Sequence, residues 1–128
     1  MAATHDIRLD PVRKLLTLTL TGFFDVSQVA QIHAEIVGGI ATLGCAPNRH
    51  LTLVDVSASK LQAQDSVAAF GAIIVDPRIM SRKLAMVVGS SLARMQVRRI
   101  LLRADAECFD SVAAARLWLF SDGVVGCG

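Results

Sequence analysis

Apolar positions along the chain follow two alternating periods. Lys14 to Thr21 (KLLTLTLT) alternates strictly, with Leu16, Leu18 and Leu20 pointing one way and Thr17, Thr19 and Thr21 the other. That pattern predicts a strand covered on one face only. Asp6 to Val12 is a shorter alternating piece, and Asp10–Pro11 can supply a turn, so the two pieces predict an opening hairpin. A helix follows, with Asp25 as N-cap and Gln28 as its reciprocal capping partner. Val29, Ile32, Ile36, Ile40 and Leu43 then recur at helical spacing, and Gly44 suits the C-terminal cap. The Gly38–Gly39 pair costs about 1 kcal/mol per residue in a helix interior. It marks either an early end or a close approach of two backbones.

The alternation continues to the C-terminus. Leu51 to Val56 (LTLVDV) reads as a central strand, and a loop from Ser57 to Gln64 leads to a second helix starting near Asp65 or Ser66. Val67, Phe70, Ile73 and Ile74 form its apolar face, and Pro77 ends it. Lys83 to Gly89 is another buried strand. Ser90 or Ser91 then caps a third helix running to about Arg103, with Leu92, Met95 and Leu102 on its inner face. Glu107 to Phe109 is a brief extended piece before a last helix capped by Asp110 or Ser111, which buries Val112, Ala115, Trp118 and Leu119. The tail after Ser121 is expected to fray. The order β-β-α-β-α-β-α-(β)-α predicts one α/β domain over residues 1–128, ordered over about 5–121, with a mostly parallel sheet and an antiparallel opening hairpin.

Composition narrows the function classes. The 53% apolar content and mean hydropathy of +0.52 call for an efficient core, an association surface, or both, so a homodimer is expected. A transmembrane segment is excluded because Val26 to Asn48, the longest weakly charged stretch, holds His33, Glu35, two adjacent glycines and Pro47. The first residues lack a basic region followed by an apolar run, which makes a cytoplasmic location the expectation. Cys45, Cys108 and Cys127 make no CxxC or Cys/His cluster and read as reduced structural thiols. A net charge of +2 and few aromatics argue against a nucleic-acid partner.

Catalytic chemistry finds little support. His5, His33 and His50 fall in a tail, on a helix flank and in a loop, with no nucleophile elbow and no metal-ligand spacing. Asp55 and Asp65 could approach each other, but Asp65 also suits the first turn of a helix. No catalytic residue, metal or cofactor is expected. Gly89–Ser90–Ser91 is the best small-ligand candidate, because a strand end that opens a helix presents free N–H groups to an anion. Arg78, Arg82, Lys83, Arg94, Arg98, Arg99 and Arg103 gather in one region, but on the third helix they divide between two faces.

Three segments carry a resemblance. LLTLTLTGFFD (Leu15 to Asp25) closes the opening strand pair on a Gly and an Asp, LTLVDVS (Leu51 to Ser57) ends in Asp and Ser, and FDSVAAARLWL (Phe109 to Leu119) has the form vFd…eeAlaWL. Together with the element order they resemble the SpoIIAA-like superfamily, which includes STAS domains and the related lipid-binding CRAL-TRIO type, over nearly the whole chain. In its anti-sigma-factor antagonists a DSSG motif opens the helix after the central strand, and the first Ser is phosphorylated. Asp65–Ser66–Val67–Ala68 is the nearest match here, without the second Ser or the Gly. The resemblance implies Ser66 as a phosphoacceptor at a helix N-terminus, whereas the residues alone make it a helix cap. It also implies a non-enzymatic regulatory module that meets a protein partner through Ser57 to Phe70, with Ser57, Asp65 and Ser66 in the contact. The alternative is a carrier or sensor that holds a lipid, or another apolar or anionic small molecule, between helices and sheet, with Phe70 to Val75 lining the pocket.

Overall fold

The opening hairpin is built by one carboxylate. Asp10 Oδ1 accepts the backbone N–H groups of Val12 and Arg13, both at 3.0 Å, and Lys14 takes a positive φ of 56° to bring the chain back. The computed structural model describes residues 3–46, 48–59, 62–99, 101 and 105–122. Its elements are β1 (Thr4–Asp10), β2 (Leu15–Gly22), α1 (Val26–Leu43), β3 (Leu51–Ser59), α2 (Gln64–Ile74), β4 (Lys83–Val87), α3 (Ser91–Arg98), β5 (Ala106–Phe109) and α4 (Val112–Leu119). The strands form one sheet in the order β1-β2-β3-β4-β5, antiparallel between β1 and β2 and parallel elsewhere. The α/β class and the mixed sheet follow the expected pattern.

Two cores lie on the two faces of the sheet. Leu16, Leu18, Leu20, Leu84 and Met86 face α1, α2 and α3, meeting Ile32, Ile36, Ile73 and Val97. Leu15, Leu51, Leu53, Ala85 and Val87 face α4, meeting Ala115 and Leu119. On that second face Thr17 and Thr19 of β2 stand beside Arg8 and Asp6 of β1 and stay partly exposed. Strict Leu/Thr alternation therefore reports which face of the hairpin is covered.

Helix α1 matches its sequence signals closely. The Asp25–Gln28 capping box is complete, Gly44 caps the other end at φ 69°, and Val29, Ile32, Ile36, Ile40 and Leu43 are its buried residues. The helix runs through Gly38 and Gly39. A Cβ on Gly39 would stand 3.2 Å from Leu16 Cδ1, while one on Gly38 would meet nothing within 4 Å. Only Gly39 serves a close approach.

Other expectations need correction. β3 reaches Ser59, so Ser57 belongs to a strand and not to a loop. The β2–β3 register shifts between Thr19 and Thr21 at that point, and the Ser57 N–H donates to Asp55 Oδ1 at 3.0 Å. Leu92 and Met95, expected inside, are 62% and 56% exposed; Ala93, Gln96 and Val97 face inward instead. Val112 of α4 is likewise exposed. α3 ends at Arg98 with Arg99 as its C-cap, and the rest of its expected extension, including Leu102 and Arg103, lies outside the described residues apart from Leu101. Pro47, the glycine-rich tail and Cys127 also lie outside them. Cys45 is disulfide-bonded, which corrects the expectation of a thiol there. Cys108 is a free thiol whose ionisation burial pushes up. No helix among the described residues is long and apolar enough to cross a membrane.

Candidate functional site

Parallel strands end at a common edge, and here each of β2 to β5 runs into a helix N-terminus at that rim. The six residues singled out in the sequence all fall along it, in different situations. Ser57 Oγ donates to Asp55 Oδ1 at 2.6 Å. Ser90 caps α3 by accepting the Ala93 N–H at 3.1 Å, and Ser91 is exposed in the first turn. The close backbone approach at Gly89 is made by β3: a Cβ there would lie 2.6 Å from the Ser57 carbonyl oxygen. The missing side chain is thus explained by strand packing.

On α2 the expectations divide. Asp65 is exposed in the first turn, and its Oδ1 accepts the Ser66 N–H at 2.9 Å. The helix starts one residue earlier, at Gln64, and its N-cap is Ala63. Ser66 is neither a cap nor exposed: only 1% of it is accessible, and its hydroxyl donates to the Phe24 carbonyl at 2.8 Å. An exposed phosphoacceptor is corrected by that enclosure, since a phosphate would need the Phe24 contact broken and α2 displaced.

A glutamine clasp that sequence reasoning missed ties the rim together. Gln62 Oε1 accepts the Phe24 N–H at 2.8 Å, and its Nε2 donates to the Gly22 carbonyl at 3.1 Å. Gln96 of α3 accepts the Gln62 N–H at 3.2 Å and donates to the Gln62 carbonyl at 3.0 Å. The end of β2 and the flank of α3 are thereby linked through one residue. Phe23 and Val26 stand exposed on the β2–α1 side of that link, and Leu92 and Met95 on the α3 side.

Beneath the clasp, α2 and α3 roof an apolar slot over the sheet, with a volume of about 110 Å³. Its floor is Leu18 and Leu20 of β2, Thr52, Val54 and Val56 of β3, and Leu84 and Met86 of β4. Phe70, Ile73 and Ile74 line it from α2, within the segment Phe70 to Val75 expected to line a pocket; Val67 lines it from outside that segment, and Val75 is exposed and does not. Phe24 meets Phe70 edge-on, with ring centroids 5.9 Å apart. The slot explains why Val67, Phe70 and Ile74 are only half-buried although they form the apolar face of α2. Polar groups sit at its ends: Thr52 and Ser81 at one, Ser59, Gln62 and Gln96 at the other.

Charged groups elsewhere are largely paired. Arg82 and Lys83 meet Asp122, and Arg94 meets Asp110, so the expected basic region is broken into local pairs. His33 Nε2 lies 2.7 Å from Asp76 Oδ2, which also receives Arg78 at 2.8 Å. Hydrogen bonds from Arg78, then from His33, hold the Asp76 carboxyl well below the usual carboxylate range. This cluster fastens α1 to the turn after α2. Among the described residues no group of three or more His, Cys, Asp or Glu could hold a metal ion.

Fold and site define an α/β domain with a helix-roofed apolar slot and a rim of helix N-termini. No protein-family model matches the chain, and no curated protein does. Solved structures do. An uncharacterised protein of the DUF3478 family from Shewanella loihica, with a SpoIIAA-like fold, is similar at a TM-score of 0.71 and 12% identity, covering 93% of this chain and 96% of that one. An anti-sigma factor antagonist from Mycobacterium paratuberculosis is similar at 0.66 and 11%, covering 92% and 94%. The anti-sigma factor antagonist SpoIIAA in its unphosphorylated form is similar at 0.60 and 12%, covering 89% and 94%. The chain has a SpoIIAA-like fold.

Proposed function

We propose that this chain is a non-catalytic regulatory domain that contacts a protein partner through its rim. The observation that carries the reading is the exposure of Phe23, Val26, Leu92 and Met95 on both sides of the Gln62 link, where the strands end. Large apolar side chains held in the open on capped helix starts favour association. Structural likeness to anti-sigma factor antagonists supports a regulatory role of this kind. Ser57, Asp65, Ser90 and Ser91 supply polar contacts around the patch. A second copy of the chain is one form such a partner takes. Control through Ser66 phosphorylation is not part of it. A photo-crosslinking residue at Leu92 is expected to give a discrete protein adduct in the source cells, lost in Phe23→Asp. The same adducts from Thr19, on the open sheet face, would contradict the reading.

A second reading is favoured by the slot: the domain holds a small apolar molecule between α2, α3 and the sheet. Apolar cavities of this order stay dry and take up small apolar guests. Retention of a ligand through detergent-free purification, read by native mass spectrometry, tests it; a consistently empty chain stands against it.

A further inference from the structure

We propose that the slot takes an uncharged, elongated amphiphile of the fatty-alcohol kind, with its hydroxyl at the Gln62–Gln96 end. This rests on the slot holding a ligand at all, and adds the chemical class and the orientation. Shape is the first argument. The lining follows β3 from Thr52 to Ser59, about 23 Å of strand at about 3.3 Å per residue. A lining drawn out along one strand suits an extended hydrocarbon chain better than a compact ring system.

Charge is the second. The described lining consists of aliphatic, aromatic, Thr, Ser, Gln and Met side chains, with no Lys, Arg, His, Asp or Glu among them. A carboxylate or phosphate drawn into it would lose hydration without a counter-charge. The anionic ligand considered from the sequence is therefore a poor match for this slot.

Orientation is the third. Thr52 and Ser81 are buried at the far end, while Gln62 and Gln96 are half-buried beside the rim, where the polar end of an amphiphile meets water. The clasp engages one donor and one acceptor of the Gln96 amide, which carries two of each. A hydroxyl can therefore bond to Gln96 with the clasp intact.

The test is titration of the full chain with 1-octanol and with octanoate, matched in chain length, at a pH where octanoate is ionised. Methyl NMR is expected to show saturable shifts at Leu18, Val54, Ile73 and Leu84 with octanol, and binding of octanoate weaker by at least about tenfold. Ala93→Phe and, separately, Val67→Trp fill the slot from its two roof helices and are expected to weaken octanol by about tenfold or more while unfolding stays cooperative. Should a variant fail to fold, nuclear Overhauser contacts from octanol to the Val54 methyls in the unaltered protein report the same occupancy. Contacts from the carbinol protons to the Gln96 amide support the orientation, and contacts to Thr52 and Ser81 instead overturn it. Equal or tighter binding of octanoate overturns the uncharged class but leaves the slot a ligand site. Binding of neither compound overturns the slot reading itself.

Discussion

Gly38 and Gly89 differ in what a side chain there would meet. Gly38→Ala places a methyl in open space within a helix and is expected to stabilise the chain by about 0.5–1 kcal/mol. Gly89→Ala drives a Cβ into the Ser57 carbonyl and is expected to cost about 1–3 kcal/mol, through a shift of β4 against β3. Urea unfolding of the two variants reads both. Asp76 makes a pH prediction. Its carboxyl is held below the normal range by Arg78 and His33, so its contribution is complete above about pH 4, the unfolded value, and is lost as pH falls below that. Asp76→Asn is expected to flatten stability against pH on the acid side and to leave the neutral-to-basic side parallel. An unchanged acid limb would contradict the assignment. Ser66 shows what a single residue hides: DS before an apolar run reads as a helix cap, and only the Phe24 carbonyl, 42 positions away in sequence, reveals a buried hydroxyl.

Among the elements, α1 was the most legible, because its signals are local and agree. A capping box, five apolar positions at one spacing and a C-terminal glycine all lie within one stretch of chain. Asp25→Ala is expected to cost about 1 kcal/mol, read by thermal unfolding. In α3 the local signals mislead. Leu92 and Met95 are its largest apolar residues, yet the helix turns Gln96 inward because that amide finds the backbone of Gln62, 34 positions earlier. Patterning ranks side chains by polarity and cannot register a distant partner that satisfies a polar one. Leu92→Ser and Met95→Ser are accordingly expected to leave stability within about 0.5 kcal/mol, while inward placement would make each strongly destabilising. The same reasoning separates the strands: β2 announced its one-sided burial through Leu/Thr alternation, whereas the shift that carries β3 to Ser59 depends on pairing with β2.

For the molecule as a whole, strand and helix order were enough to give the sheet, its single antiparallel pair and the SpoIIAA-like layout. The rim was legible too, since strand-to-helix junctions are marked by Gly, Ser and Asp. The slot was half legible. The apolar run Phe70 to Val75 points to lining residues, and Phe70, Ile73 and Ile74 do line it while Val75 does not, but the space itself arises from how far α2 stands from the sheet, a distance that no periodicity encodes. Rim and slot share Gln62, so the proposed partner surface and the proposed ligand site are built on the same loop. The most direct test of that design is xenon NMR of the unligated chain, because xenon enters apolar space without needing a hydrogen bond or a charge. Saturable methyl shifts confined to Leu18, Val54, Ile73 and Leu84 are expected. Shifts spread over surface methyls, with those four unmoved, would mean that α2 and α3 close onto the sheet and that there is no slot.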